Sequence, residues 1–170
     1  EDVQETGFPE NVKSVKIVNL DDGFRSGGKD RRLNQRKFGH LVQKVASMVE
    51  GKSIDIESMR DVFIEMSNVA PDASFEAVWR DPVVWELITS ACEMHEVKIP
   101  FTDYYEIVEF VVRPIWNLLS VSKEIPEVDL FHGVGGSYAG LLSVTLAEKT
   151  GAKSVFTDNR RAPARQLFRY

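Results

Sequence analysis

Residues 127–157, EVDLFHGVGGSYAGLLSVTLAEKTGAKSVFT, constrain the fold more than any other stretch of the chain. Val128 to His132 is a short apolar run that reads as a strand, and Gly133-Val-Gly-Gly-Ser137 reads as a flexible turn. Tyr138, Leu141, Leu142, Thr145 and Leu146 then recur at helical spacing, and Gly151 stands where a helix stops. Lys153 to Thr157 reads as a second strand. Strand, turn, helix and strand in so few residues make a βαβ unit. Such a unit requires parallel pairing, because a helix must carry the chain back to the starting end of the sheet. Ligands of open α/β sheets bind at the carboxyl ends of the strands. There, glycines admit a close backbone approach, and the following helix favours an anion by about 0.3–1 kcal/mol per charge.

The rest of the chain is organised around helices. Residues 1–10 are acidic and aperiodic, a leader, and NVKSVKIVNL from Asn11 alternates as a short strand through Val15 and Ile17. DDGFRSGGKD follows as a loop. A helical insert is expected over about 31–121. In its first helix Phe38, Leu41, Val42, Val45, Met48 and Val49 share one face, and Gly51 ends it. Ile56, Met59, Val62, Phe63 and Met66 form the stripe of a second helix, closed before Pro71. Asp81 with Pro82 reads as an N-cap followed by proline at the first helical position, ahead of Val84, Leu87, Ile88 and Ala91. A fourth helix, capped by Thr102 or Asp103, aligns Tyr104, Ile107, Val108, Val111, Ile115, Leu118 and Leu119, with Pro114 inside it as an expected kink.

Composition narrows the function classes. With 170 residues and 43% hydrophobic content, the chain can bury one real core. No apolar run approaches the roughly 20 residues of a membrane span. The single Cys92 allows no intramolecular disulfide, and with three dispersed histidines it offers no metal site. A net charge of -5 argues against nucleic acid as a partner.

Individual residues divide between chemistry and packing. His132 is a candidate to hydrogen-bond a polar ligand at the end of its strand, or else a histidine tied to backbone. Gly133, Gly135, Gly136 and Gly140 do not fall in the register of a dinucleotide fingerprint, and no P-loop lysine follows. A tight turn without a ligand remains an open reading. Ser137 lacks a G-x-S-x-G setting, so it reads as a helix N-cap or a phosphate contact rather than a nucleophile. Tyr138 packs on the sheet or stacks on a ligand. His40 and His95 have no ligand spacing around them. Trp79, Trp85 and Trp116 read as core or interface residues. Lys29, Arg31, Arg32, Arg36 and Lys37 form a basic run that suits a diphosphate, an anionic membrane surface or plain solvent.

The specific residues say more than the pattern. Asp129-Leu-Phe-His132-Gly-Val-Gly-Gly-Ser-Tyr138-Ala-Gly-Leu-Leu142 resembles the Asp-x-x-His-x-Val-x-x-x-Tyr-Ala-Gly-Leu-Leu segment of the Pel exopolysaccharide glycosyltransferases. These belong to the retaining, group-1 enzymes of GT-B fold. The resemblance continues through Lys149-Thr150-Gly151. Upstream, Pro9-Glu-Asn-Val12, Trp85-Glu-Leu-Ile88, Phe101, Arg113-Pro114 and Leu118-Leu119 also fit. It spans residues 9–157 and is most specific over 126–151.

The resemblance implies an α/β fold, an incomplete amino-terminal Rossmann-like domain over 11–157. The family's opening strand, and a second domain bearing a Glu-x7-Glu pair that grips the donor, are expected outside the sequence. It further implies transfer of a sugar from a nucleotide-diphosphate donor, UDP-linked, to a glycan acceptor, on the cytoplasmic side, beside membrane-associated polysaccharide-synthesis partners. No cofactor other than the donor substrate is expected, and this chain alone is expected to be inactive. His132, Gly135, Gly136, Ser137 and Tyr138 are the expected substrate-binding residues; no catalytic residue is assigned. Glu57 and Glu65 reproduce the Glu-x7-Glu spacing, but SMRDVFI between them lacks the family's Phe-Gly context. After Thr157 the family reads Thr-Glu-His-Gly, whereas here Asp158-Asn159-Arg160 open a divergent basic tail over 158–170. The competing readings are a non-catalytic α/β binding or interaction module with a phosphate-compatible turn, and a small Rossmann-like enzyme complete in itself.

Overall fold

The computed structural model describes residues 11, 12, 15, 17, 20, 33–51, 55–135 and 137–157. Helix α1, Gln35–Glu50, begins where the Asn34 side chain accepts from the Lys37 N–H, supplying an acceptor that the first turn of a helix lacks. Asp55 does the same for α2, Ile56–Val69, through the Ser58 N–H at 2.7 Å. A 3-10 turn at Ala70–Asp72 follows, with Pro71 near its start. Ser74 then caps α3, Phe75–Trp79. As the Asp-Pro pair predicts, Asp81 caps α4, Pro82–Met94, by accepting from the Val83 N–H. The longest helix, α5, runs over Phe101–Ser120 and leads into a second 3-10 turn at Val121–Lys123. Strand β1, Leu130–Val134, helix α6, Ser137–Thr150, and strand β2, Lys153–Thr157, complete the described order.

The core is helical. Phe38 and Leu41 of α1 meet Val62, Met66 and Val69 of α2, with Phe75 and Val78 of α3 and Trp116 and Leu119 of α5 closing the cluster. Leu119 is fully buried, a burial worth about 1.5–3 kcal/mol. Two buried polar groups tie the layer together, Trp116 Nε1 donating to the Ala73 carbonyl at 3.1 Å and Ser122 Oγ to the Ser67 carbonyl at 2.7 Å, whereas the buried Trp79 Nε1 has no hydrogen-bond partner among the described residues. Arg113 ties α5 to α3. It bonds Glu76 at 2.7 Å, pairs with Glu109 one turn back, and lies 4.4 Å above the Phe75 ring. Helix α6 packs on α2 and α5 and joins the sheet to this bundle. The architecture is thus mostly helical with a two-stranded parallel sheet among the described residues.

Several sequence expectations shift. Val15 and Ile17 are not in a strand and are exposed; the rest of the alternation around them, the leader 1–10, the loop 21–30 and the tail 158–170 lie outside the described residues. Ile56 and Met59 face solvent, so the apolar stripe of α2 begins only at Val62, where α2 meets its neighbours. Neither Thr102 nor Asp103 caps α5; both sit within its first turn, and Pro100 occupies the cap position. Ile107 and Val111 of the expected α5 stripe are exposed, because the core takes the carboxyl-terminal half from Pro114 to Leu119 instead. Helix α3 has no counterpart in the sequence reading.

Candidate functional site

The βαβ unit forms as expected, with its strand displaced. β1 begins at Leu130 rather than Val128 and includes Gly133, which the sequence reading assigns to the turn. The reason is steric. A Cβ on Gly133 would lie 2.8 Å from Ser143 Oγ, 2.9 Å from the Ala139 carbonyl oxygen and 3.1 Å from the Phe156 ring. Glycine is what lets α6 close onto the strand. The turn itself belongs to Gly135, whose φ of +91° is open to glycine and strained for other residues. Its N–H donates to the Thr157 carbonyl at 2.9 Å, so this group extends the parallel ladder rather than facing a ligand. Gly136 and the Ser137 side chain lie outside the described residues; the Ser137 backbone opens α6. At the far end Gly151, φ +75°, terminates α6 as its position predicts.

The two faces of the sheet differ. Successive strand residues alternate sides, so Gly133 and its register partner Phe156 face α6 while His132, Val134, Val155 and Thr157 face away. On that second face Leu130, Val134 and Val155 are about half exposed. His132 is exposed too, and its Nε2 lies 2.9 Å from Thr157 Oγ1. Thr157 pairs in register with Val134, two residues beyond His132, so the imidazole leans toward the carboxyl end of the sheet. This is the end at which α/β folds bind ligands. His132 and Thr157 therefore make a polar pair at the carboxyl end of a face that also carries Leu130, Val134, Val155 and, at its opposite end, the exposed Lys153, with imidazole and hydroxyl both able to donate or accept.

Among the expected site residues, His132 and Gly135 share this end of the sheet, and Tyr138, 39% exposed, stands on the first turn of α6. Tyr138 is not enclosed against the strands. Thr157 was missed as a site residue; the available signal is its place at the end of the second strand, two positions past the partner of His132. His40 and His95 are exposed on the helical layer. Glu57 is exposed near the start of α2, and eight residues of helix set it about 12 Å from Glu65, too far for the two to act as a pair. Of the tryptophans, Trp116 is core, while Trp85 is 51% exposed and packs at 5.0 Å from Phe101 and 5.3 Å from Tyr105. From the basic run, Lys37 reaches Asp72 at 3.5 Å; Lys29, Arg31 and Arg32 lie outside the described residues. A separate concavity of about 200 Å³ lies between α1 and α4, lined by Val42, Val49, Val83 and Leu87 with Glu50 and Glu86 at its polar side. It is smaller than usual ligand pockets and holds none of the expected residues.

The family described as a domain of unknown function, DUF3492, matches residues 3–159. The chain belongs to that family. The matched range takes in both the helical layer and the whole βαβ unit, which the family therefore carries together. Neither the curated proteins nor the solved structures contain a significant match. No described helix is long and apolar enough to cross a membrane.

Proposed function

We propose that this member of the DUF3492 family is part of a retaining glycosyltransferase of GT-B architecture, in which the βαβ unit belongs to an amino-terminal Rossmann-like domain. The observation that supports this most is positional. The residues resembling the Pel enzymes, Asp129 to Leu142, fall on β1, the positive-φ turn and the start of α6. They converge on the carboxyl end of a parallel sheet, the functional end of such folds. In this reading a sugar passes from a UDP-linked donor to a glycan acceptor, on the cytoplasmic face of a polysaccharide-synthesis assembly. His132 and Thr157 hydrogen-bond hydroxyls of the bound sugar or acceptor. The first-turn N–H groups of α6, which have no intrahelical acceptor, favour a phosphate oxygen over neutral groups. A second domain supplies the main contacts to the departing diphosphate, whose stabilisation carries much of the rate.

The test uses the polypeptide that carries this chain together with its second domain. Titration with UDP-sugars should show saturable binding, and acceptor-dependent turnover should retain anomeric configuration. Absence of both binding and sugar-nucleotide hydrolysis overturns the proposal and leaves a non-catalytic α/β module. Within an active enzyme, His132→Ala should lower kcat/KM about two- to tenfold, the loss of one hydrogen bond, with unchanged thermal stability. Unchanged turnover removes His132 from the site.

A further inference from the structure

At the opposite end of α6 from the glycine turn, three lysines from three separate elements converge. Lys149 stands in the last turn of α6, and its Nζ donates to the Ser67 carbonyl of α2 at 3.1 Å. Lys123, in the 3-10 turn after α5, pairs with Asp72 Oδ1, and Lys37, in the first turn of α1, lies 3.5 Å from Asp72 Oδ2. Each oxygen of one carboxylate thus meets a lysine, while Lys149 contacts a neutral carbonyl. Lys37 and Lys123 are about half exposed, so a ligand can reach them. The Lys149 ammonium lies beside the turn that carries Lys123, because Ser122 of that turn donates to the same Ser67 carbonyl. Lys149 is held below the ordinary lysine value by partial desolvation of its ammonium, then by Lys123 and Lys37, with Asp72 and Glu65 acting in the opposite sense. A charged Lys149 therefore costs the native state free energy that an added anion would offset.

We propose that Lys37, Lys123 and Lys149 form a binding site for a small oxyanion of the phosphate class. The site stands apart from the transferase reading. Helix α6 has 14 residues, which sets its two ends about 21 Å apart, so an anion here cannot be the one facing the glycine turn. An ammonium on each of three elements matches the several acceptor oxygens of a tetrahedral anion. Its binding would cross-link α1, α6 and the turn after α5.

Titration of the 170-residue chain with inorganic phosphate, at ionic strength held constant with chloride, tests this through amide NMR shifts. Saturable shifts are expected at Ser67, Lys123 and Lys149. Lys123→Gln and Lys149→Gln should each weaken binding about two- to fivefold, and Lys149→Arg should retain it. His132→Ala should leave it unchanged. Shifts that never saturate, or affinity unaltered in both glutamine variants, overturn the proposal. So does a loss in Lys149→Arg equal to that in Lys149→Gln, which would assign the effect to packing. Far-UV circular dichroism checks each fold, and the exposed Lys123 keeps the test decisive if Lys149→Gln unfolds.

Discussion

Substituting Gly133 by alanine should damage the fold where the candidate site is built. The added methyl would enter at 2.8 Å from Ser143 Oγ and 2.9 Å from the Ala139 carbonyl oxygen, both well inside contact distance. The Ser143 hydroxyl donates to that same carbonyl at 2.7 Å and is buried, so it has little freedom to turn away. The carbonyl is helix backbone and cannot move without α6. Overpacking of this kind costs about 1–3 kcal/mol. Two other glycines act as controls. Gly140→Ala would approach the Phe156 ring at 3.1 Å, but Phe156 is 44% exposed and can rotate, while a mid-helix Gly to Ala change contributes up to about 1 kcal/mol. Its net effect should be close to zero. Gly39→Ala, in α1 with nothing within 4 Å, should stabilise by about 0.8–1 kcal/mol. Urea unfolding followed by tryptophan fluorescence measures all three, and melting should shift by about 2–4 °C per kcal/mol. Adding Ser143→Ala to Gly133→Ala should recover only part of the loss, since the carbonyl contact remains. If Gly133→Ala proves as stable as the parent chain, α6 does not close on β1 as described. The geometry of the candidate site then fails with it.

Other outcomes follow from the same contacts. Arg113→Ala removes two ion pairs and the stacking on Phe75, each of modest worth, and should destabilise by about 1–2 kcal/mol in urea melts. Asp72 is held below the ordinary aspartate value, chiefly by its bond to Lys123, and desolvation opposes this. A depressed native value means the contribution is present above the ordinary aspartate range and is lost as pH falls through the native value. Asp72→Asn should therefore flatten that acid limb of the stability profile; an unaltered limb below about pH 4 would refute the assignment.

What could be read from the chain followed from local rules. The Asp81-Pro82 start, the Gly51 and Gly151 stops and the parallel pairing of 130–134 with 153–157 depend on capping, φ and chain return within a few residues. Other features had no local signal. The five residues of α3 are too few to show periodicity, and Ser74 is the mark of its start. The exposure of Ile107 and Val111 depends on which half of α5 meets the bundle, which spacing along the helix cannot reveal. Gly133 looked like a turn residue because glycine commonly serves turns. Its actual use, admitting a helix against a strand, is visible only once Ala139 and Ser143 stand beside it.

The candidate site divides in the same way. His132, Gly135 and Tyr138 were legible because they follow one another across a βα turn. The pairing of His132 with Thr157 depends on strand register, and the meeting of Lys37, Lys123 and Lys149 on how α1, α5 and α6 are stacked. The sequence by itself determined the start of α4, the stops of α1 and α6 and the parallel run of the two strands, because backbone geometry and hydrogen bonding act over short range. Tertiary structure alone decided which part of each apolar stripe is buried and which distant side chains meet, because close packing depends on every neighbour at once.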